Sequence, residues 1–358
     1  MTKFRTGYFL RYAFVVGALL VTAELLTRYL ITSPADSMPD PEIGWVYKPH
    51  AHILFTDEGW AVNKTNAMGF NDRELSISRE KMAILVLGDS FTEALQVPQN
   101  SNFTSLVEDA CPRLDVINAG RSGLSPIQYS ILSKRFFDAA SIHQAPIHQA
   151  IVVLNATDMK DIANNNAEIV RNAAGEITDI KLKEKGLSWS RRALDVVFSN
   201  SALANHLKNR IRAGLRENRN SETRNSAVAN IATEEKIHEI LDFVFSKINA
   251  NVPLSVVYIP ELKYLPNGQI QNVPKSDAFE KIISDVAGTH GIPFLSAQKF
   301  MEASYKVYHR PPVGFPNSDI MRGHLNELGH QSVKNTLLRL INANCRSPLI
   351  VSNVGKKQ

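Results

Sequence analysis

Short apolar runs alternate with longer amphipathic stretches from residue 82 onward. Five stretches with helical periodicity lie between or after the runs, at about Asn102–Ala110, Pro126–Ala139, Thr233–Asn249, Ser276–Gly288 and Asn326–Asn344. This alternation predicts an α/β fold, a three-layer, doubly wound, five-stranded parallel sheet of the flavodoxin-like kind. The five runs that have the length of buried strands are Ala83–Leu87, Asp115–Ile117, Ala150–Leu154, Leu254–Ile259 and Pro293–Leu295.

A continuous apolar segment precedes this pattern. Tyr8–Ile31 is mostly apolar and would be about 36 Å long as a helix, at about 1.5 Å per residue, which is enough to cross a bilayer. Lys3, Arg5 and Arg11 precede its strongest apolar run, and acidic residues follow within residues 36–42. Positive charge stays on the cytoplasmic side, so we expect a cytoplasmic N-terminus and an exported remainder.

Two other interpretations of this segment stay open. Ser33-Pro34-Ala35 loosely resembles a small-x-small cleavage site, so the segment could be a cleaved signal peptide. It could also be a buried core helix. The preferred hypothesis is a retained transmembrane anchor over residues 1–32.

The rest of the chain divides by composition. Residues 33–81 are predicted to form a linker that leads into a small N-terminal module. The linker part, Ser33–Pro49, is rich in proline and acidic residues. Residues 82–345 form the predicted α/β domain, and residues 346–358 a C-terminal tail. A helical insertion at about 163–231 carries several basic residues over Arg191–Arg216, and either forms a cap over the substrate pocket or is a solvated helix pair.

Composition narrows the function classes. The 358 residues are 44% hydrophobic and 21% charged, which is typical of a folded protein, and the net charge of +5 is scattered along the chain. A dedicated nucleic-acid surface is therefore not expected. The two cysteines form no Cys-x-x-Cys pair, and we expect no metal and no cofactor.

Candidate chemistry lies where the predicted strands end, the edge at which such sheets bind ligands. Ser90 follows the first strand at a strand-to-helix turn, where it could be a nucleophile or merely the N-cap of the next helix. The glycine-containing turn 118–123 follows the second strand. His324 precedes the last predicted helix, and a serine with a histidine at one sheet edge is the arrangement that acyl transfer requires.

These segments resemble a known family. The sequences ILVLGDSFTEALQV (84–97), INAGRSG (117–123) and GHLNELGH (323–330) are similar to the first, second and fifth blocks of the SGNH (GDSL-like) hydrolases. The resemblance covers about residues 82–343. Residues 41–49 and 66–72 are similar to the N-terminal module of membrane-anchored bacterial members that are often associated with cell-surface polysaccharides.

The resemblance implies roles for individual residues. Ser90 would be the nucleophile, His324 its general base, and the backbone N–H groups of Ser90 and Gly123 oxyanion donors. The third block departs from the family's Gly-x-Asn-Asp, because this chain has Asn155-Ala156-Thr157-Asp158. We prefer the Asn155 amide as the third donor, with Thr157 or no side-chain donor as alternatives.

The acid that orients the histidine is also displaced. The family places an aspartate two or three residues before the histidine, but this chain's nearest preceding acid is Asp319. We expect Asp319 to orient His324, with a backbone carbonyl as the alternative. A second histidine, His330, is expected at the surface or in a capping role.

The two cysteines gain a possible role from the predicted fold. In a doubly wound five-stranded sheet the first and last helices pack side by side on one face and run parallel. Cys111 and Cys345 end these two helices, so a disulfide between them is a candidate if the domain is exported.

Together these observations favour a serine esterase or O-acyltransferase that acts through a Ser90 acyl-enzyme, most readily on an acetyl ester of a cell-surface glycan. We expect a single-pass protein of the bacterial inner membrane, with its catalytic domain in the periplasm or outside the cell. The alternative is a catalytically poor SGNH-fold scaffold or glycan-binding protein of an envelope polysaccharide assembly system, which the two departures motivate. A soluble cytoplasmic esterase requires that Tyr8–Ile31 does not insert.

Overall fold

In a computed structural model, the chain is described over residues 2–34, 36–75, 80–142, 146–164, 167–182, 189–211, 234–265 and 267–341. The strands, numbered in chain order, are β1 (Ser37–Asp40), β2 (Gly44–Tyr47), β3 (His52–Phe55), β4 (Ala61–Lys64), β5 (Met82–Gly88), β6 (Leu114–Gly120), β7 (Ile147–Asn155), β8 (Ala167–Arg171), β9 (Ile177–Leu182), β10 (Leu254–Ile259), β11 (Leu262–Tyr264), β12 (Ile270–Asn272) and β13 (Phe294–Ser296).

The helices are numbered in the same way. A π-helical turn, Thr27–Ile31, follows the first helix, and a 3₁₀ turn, Gln99–Ser101, precedes the third. The helices are α1 (Thr2–Leu26), α2 (Ser90–Glu93), α3 (Phe103–Ala110), α4 (Pro126–Ile142), α5 (Asp158–Asn164), α6 (Trp189–Asn200), α7 (202–211), α8 (Glu234–Asn249), α9 (Pro274–Thr289), α10 (Gln298–Tyr308) and α11 (Glu327–Ile341).

Five parallel strands form the central sheet in the order β6-β5-β7-β10-β13. In chain order this is 2-1-3-4-5, with the switch in direction at β5. The observed topology confirms the predicted doubly wound parallel sheet, and all five predicted strands are present. Their carboxyl ends lie at one edge, where β5 and β7 end in Gly88 and Asn155.

Alternating side chains of the sheet pack into two cores, one on each face. Leu85 and Leu87 of β5 pack with α4, α8 and α9. Ile84 and Val86 pack on the opposite face with α3, α10 and α11. Because the strands are apolar on both faces, helices cover the sheet on both sides and make three layers.

Residues 36–75 fold back on the α/β domain. β1 and β2 form one antiparallel hairpin, and β3 and β4 form another. Ile43 and Val46 are buried in the core with Phe70, whose ring packs edge-on against Phe136 of α4 at 5.2 Å. The stretch that composition predicts to be an extended linker therefore contains a hairpin that is part of the domain's packing.

The insertion contains strands as well as helices. β8 and β9 pair as an antiparallel hairpin before α6 and α7. Residues 183–188 and 212–233 lie outside the described residues. The structure also contains α10, which is not among the five helical stretches predicted from the sequence; Met301 and Tyr305, four residues apart, form its buried face.

The N-terminal helix matches its prediction in length and composition. Tyr8–Ile31 is long and apolar enough to cross a membrane, with a mean hydropathy of 1.8, and none of its most apolar stretch is buried. The large side chains along it are exposed, as a lipid-facing helix requires.

Cys111 follows α3 directly, is buried and is disulfide-bonded. Helices α3 and α11 pack against each other in one core, as predicted for the first and last helices. Cys345 lies outside the described residues, so its pairing with Cys111 stays a prediction.

Candidate active site

Ser90 stands at the turn between β5 and α2. The carboxylate of Asp89 caps α2, accepting a hydrogen bond from the Phe91 N–H at 2.9 Å. The N-cap is therefore Asp89, which leaves the Ser90 hydroxyl for other partners. The turn is tight at Gly88, where a Cβ would lie 2.1 Å from Thr92 Oγ1 and 3.1 Å from the Val153 carbonyl oxygen.

The hydroxyl of Ser90 faces His324, as predicted. Ser90 Oγ lies 2.8 Å from His324 Nε2, although the two residues are 234 positions apart. The imidazole packs against the Phe91 ring, with 4.9 Å between the ring centres. This distance allows direct proton transfer between serine and imidazole.

The other ring nitrogen of His324 is held by Glu58. Glu58 Oε2 lies 2.5 Å from His324 Nδ1, and Oε1 accepts a hydrogen bond from the His324 backbone N–H at 2.6 Å. Burial acts to raise the pKa of Glu58, but the hydrogen bonds and charge of His324 outweigh it and leave the pKa below its usual value. Ser90, His324 and Glu58 therefore form a continuous hydrogen-bonded chain.

Asp319 does not occupy the position that the sequence predicts. Its Oδ1 accepts a hydrogen bond from the Met321 backbone N–H at 2.9 Å, which closes a local turn. Glu58, 266 residues before His324, takes the place on Nδ1. Asp319, five residues before His324, therefore hydrogen-bonds within its own loop. Glu58 could not be identified beforehand, because it does not belong to any short sequence motif.

The turn that carries Glu58 is clamped by Asn317. The Asn317 amide donates to the carbonyl oxygens of Thr56 and Gly59 at 2.9 and 2.7 Å and accepts from the Gly59 N–H at 2.8 Å. Glycine at position 323 makes room for the carboxylate, because a Cβ there would lie 1.9 Å from Glu58 Oε1. The loop before His324 thus fixes both partners.

Asn155 and Thr157 meet at the end of β7. Asn155 Oδ1 accepts hydrogen bonds from the Thr157 N–H and hydroxyl, at 2.8 and 2.7 Å. Asn155 Nδ2 is buried beside the Asp89 carboxylate, and no described atom lies within hydrogen-bonding geometry of it. Burial raises the pKa of Asp89, and the neighbouring Asn155 amide opposes that rise. The Thr157 hydroxyl has acceptors on two sides, Asn155 Oδ1 and Asp89 Oδ2 at 3.3 Å, so Asn155 Nδ2 is the freer donor.

The two glycines of the 118–123 turn have different environments. The Gly120 N–H donates to Asn118 Oδ1 at 2.9 Å, and a Cβ on Gly120 would lie 2.3 Å from the Glu93 nitrogen. Gly123 has a φ of +77° in open space, so its backbone conformation rather than close packing favours glycine. Gly120 therefore serves close packing, and its N–H is already bonded. Gly123 remains the candidate whose backbone N–H could donate to an oxyanion.

Glu93 links α2 to this turn. Its carboxylate accepts from Arg121 Nη1 at 3.1 Å and from the Ser122 N–H at 3.1 Å, and the Ser122 hydroxyl also donates to it. Glu93 and Arg121 are 1% and 0% exposed. The Arg121 guanidinium carbon lies 3.7 and 3.4 Å from the ring centres of Trp45 and Tyr47 on β2. The N-terminal hairpin therefore covers the ion pair that holds the turn.

His330 lies inside the protein, with its ring stacked on that of Phe103 in α3. It is 1% exposed and accepts a hydrogen bond from the Phe103 N–H, the first of α3, at 3.2 Å. Burial and the nearby His324 lower its pKa to about 3. It thus has the capping role predicted as one alternative, but not a surface position.

A cleft of about 920 Å³ opens beside Ser90. Neither Gly123 nor Asp319 lines it, and the described part of the insertion contributes no lining residue, so the predicted cap is not seen there. The segment after β10 forms the wall instead. The lining residues are Ser90, Phe91, Asn155, Ala156, Thr157, Lys160, Ile259, Pro260, Glu261, Leu262, Lys263, Tyr264, Leu265, Val273, Val313, Met321, Arg322, Gly323 and His324.

Comparison with known proteins finds similarity at the level of structure. One similar structure is a member of the lipolytic protein G-D-S-L family from Veillonella parvula, with a TM-score of 0.41, 11% identity and coverage of 73% of this chain and 98% of that one. A catalytic mutant of an acetylxylan esterase from Geobacillus stearothermophilus has a TM-score of 0.39, 14% identity and coverage of 74% and 97%. The lipase/acylhydrolase from Enterococcus faecalis has a TM-score of 0.38, 15% identity and coverage of 73% and 95%.

No family model and no curated protein matches the sequence. The three structural likenesses have TM-scores below 0.5, and the chemistry proposed below rests on the chain's own residues.

Proposed function

We propose that the protein is a serine esterase or O-acyltransferase that works through an acyl-enzyme on Ser90. The observation that carries this proposal is the hydrogen-bonded chain from Ser90 Oγ through His324 to Glu58, at 2.8 and 2.5 Å. A serine hydroxyl alone is a weak nucleophile, and a histidine within hydrogen-bonding distance, itself oriented by a carboxylate, activates it.

In the first half-reaction, Ser90 Oγ attacks the carbonyl carbon of the ester while His324 Nε2 takes the hydroxyl proton. Glu58 stabilises the imidazolium through Nδ1. The tetrahedral intermediate then collapses, the bond to the alcohol oxygen breaks, and His324 returns the proton to that oxygen. In the second half, water or a sugar hydroxyl gives its proton to His324 and attacks the acyl-Ser90 carbonyl. The bond from the acyl carbon to Ser90 Oγ then breaks, His324 returns the proton to Oγ, and the carboxylic acid or the new ester leaves.

The oxyanion of each intermediate needs donors at the same edge of the sheet. We assign this role to the backbone N–H groups of Ser90 and Gly123 and to Asn155 Nδ2, a buried donor without a hydrogen bond to any described residue. Thr157 is the alternative side-chain donor, and its hydroxyl orients Asn155 through Oδ1. Loss of one such donor typically costs about 10²–10³ in kcat.

The substrate class that we propose is an acetyl ester of a cell-surface glycan. Its support is the resemblance of residues 41–49 and 66–72 to the module of polysaccharide-associated SGNH hydrolases. The cleft is broad and mixes apolar walls with the charged side chains of Lys160, Glu261 and Arg322, which suits a polyhydroxylated ligand better than a long acyl chain.

We also propose that α1 is retained as a single-pass anchor, with the N-terminus in the cytoplasm and the catalytic domain on the other side of the inner membrane. Lys3, Arg5 and Arg11 set this orientation. The scaffold alternative loses one of its two motivations, because Glu58 supplies the carboxylate that the residues just before His324 lack.

A fluorophosphonate probe tests the nucleophile. The full-length protein in detergent is expected to be labelled, and Ser90→Ala and His324→Ala to lose labelling, whereas Ser284→Ala, at an exposed serine of α9, should be labelled like the unsubstituted protein. A folded protein without Ser90-dependent labelling would contradict the proposal. Release of acetate from p-nitrophenyl acetate, with and without an oligosaccharide acceptor, then separates hydrolysis from transfer.

A further inference from the structure

Exposed apolar side chains concentrate on the two helices of the insertion. Outside α1 and the turn that follows it, eleven large apolar side chains of the described chain are exposed, and five of them lie on α6 and α7. Leu194 and Val197 are three residues apart and Leu207 and Ile211 are four apart, so each of these two pairs shares a helix face. The five, which are 50–63% exposed, are Leu194, Val196, Val197, Leu207 and Ile211.

These helices are attached to the last turns of the apolar span. Glu24 accepts hydrogen bonds from the Ser201 hydroxyl at 2.8 Å and from the backbone N–H groups of Ala202 and Leu203 at 2.9 and 3.0 Å. Arg28 donates to the Asn200 carbonyl oxygen at 2.7 Å. A charged pair near the end of a membrane span is costly unless it is satisfied, and here the junction of α6 and α7 satisfies it.

Two further contacts hold the pair against the chain that leaves the span. Lys48 Nζ donates to the Ser199 carbonyl oxygen at 3.3 Å, and Asn205 Nδ2 donates to the Ser33 carbonyl oxygen at 3.3 Å. Because these contacts come from both sides of the α6–α7 junction, the junction is fixed at the level where the span ends.

The charged residues of α6 and α7 are mostly basic. Residues 189–211 contain four basic residues and one acidic residue, Asp195. Lys208 Nζ lies 4.5 Å from the centre of the Phe198 ring, so a basic side chain lies against the apolar body of the neighbouring helix. Apolar faces bordered by Lys and Arg are typical of helices that lie in the interface of a membrane with anionic lipids.

We propose that α6 and α7 lie flat on the outer surface of the bilayer that α1 spans, with Leu194, Val197, Leu207 and Ile211 in the lipid. This inference rests on the membrane anchor of the proposed function. With α1 across the bilayer and α6 and α7 on its surface, the protein contacts the membrane at two places, which fixes the orientation of the catalytic domain.

The loop that carries Glu58 is hydrogen-bonded to the end of the apolar span. The Thr56 hydroxyl donates to the carbonyl oxygen of Ile31, the last residue of the span. Thr56 lies two residues before Glu58, in the turn that Asn317 clamps. The carboxylate that orients His324 is thereby connected to the membrane-proximal end of the anchor, so the cleft is held close to the bilayer surface.

Depth-dependent quenching tests the proposal on the full-length chain in nanodiscs of phosphatidylethanolamine and phosphatidylglycerol. Val197→Cys and Leu207→Cys are labelled with a fluorophore, and nitroxide lipids in the acyl region quench it. We expect quenching about threefold or more above that of Val307→Cys, a matched valine that is 68% exposed on α10. The unsubstituted chain corrects for label on the native cysteines, and fluorophosphonate labelling of Ser90 verifies the fold of each variant.

A probe at Leu19→Cys, within the span, separates the two ideas. If Leu19 is quenched while Val197 and Leu207 behave like Val307, the anchor stands and the surface-lying pair is overturned, as it would be if a partner protein or a second copy covered the helices. If Leu19 is not quenched, the anchor fails and the inference fails with it. Strong quenching at Leu19, Val197 and Leu207 supports both.

Discussion

At the scale of single residues, Glu58 shows how a catalytic carboxylate can be remote from its histidine in sequence. Its carboxylate meets both the side chain and the backbone N–H of His324, which fixes the position of the imidazole as well as its tautomer. The usual search for an acid just before the histidine finds Asp319, which hydrogen-bonds within its own loop instead.

Replacing Glu58 is expected to damage turnover far more than replacing Asp319. Glu58→Gln keeps the volume but removes the charge that stabilises the imidazolium, and should lower kcat for p-nitrophenyl acetate by about 10²–10⁴ with little change in KM. Asp319→Asn should stay within about threefold of the unsubstituted protein, because exposed turn substitutions have small effects. The reverse order of effects would return the orienting role to Asp319.

Asn155 provides a second test at this scale. Asn155→Ala removes the buried, unpartnered Nδ2 and is expected to lower kcat by about 10²–10³, whereas substrate binding should change little. Thr157→Val removes the hydroxyl that orients Asn155 and should lower kcat by about tenfold, a smaller loss. If Thr157→Val were the more damaging change, Thr157 would be the donor.

At the scale of elements, the site depends on how α2 and the 121–123 turn are joined. Glu93 is on the same short helix as Ser90 and accepts hydrogen bonds from Arg121 and Ser122. Burial raises the pKa of Glu93, and the charge of Arg121 and the Ser122 hydrogen bonds oppose that effect. The buried carboxylate of Glu93 therefore holds α2, which carries Ser90, in a fixed position relative to the turn that contains Gly123.

Glu93→Gln should destabilise the fold by about 3 kcal/mol or more, since it leaves the buried Arg121 without a counter-charge. Urea unfolding measures this, and kcat is expected to fall in the protein that remains folded. Glu239→Gln is the matched control: it breaks an exposed ion pair with Arg171 and should cost less than about 1 kcal/mol. Equal stabilities of the two variants would show that Glu93 and Arg121 do not act as a pair.

At the scale of the whole molecule, the N-terminal residues are part of the catalytic unit. Residues 36–75 supply Glu58, cover Arg121 with Trp45 and Tyr47, and add Ile43 and Phe70 to the core. A chain that lacked this region would expose the core and lose the carboxylate of the site. The N-terminal hairpins and the α/β domain therefore form one packed structure.

The proposed Cys111–Cys345 disulfide also acts on the whole domain, because it would close a loop of more than 200 residues. Non-reduced peptide mapping should recover the two cysteines in one cross-linked peptide. Cys111→Ala is expected to lower the free energy of unfolding by about 5.5 kcal/mol in the chain-entropy model, and reduction of the unsubstituted protein should have a similar effect. Recovery of both thiols free from the exported protein would rule the bridge out.

Most of the sheet is predictable because its strands are apolar, and four of the five end in glycine, serine or asparagine. Ser90 and His324 were identified through the segments around them, and their 2.8 Å contact confirms that the sheet edge brings them together. The hairpins β1–β2 and β3–β4 are missed, since four-residue strands are too short for a clear periodic pattern and gain their order from the surface on which they pack. Helix α10 is missed as well, although its buried residues Met301 and Tyr305 have helical spacing.

Local apolar periodicity and short motifs are enough to predict the parallel sheet, the apolar span and the pairing of Ser90 with His324. The three-dimensional structure was needed to identify the acid that contacts His324 and to place the insertion. Those outcomes depend on contacts between residues up to 266 positions apart, such as Glu58 with His324. Such contacts depend on how the folded chain packs, so they cannot be predicted from any short segment of the sequence.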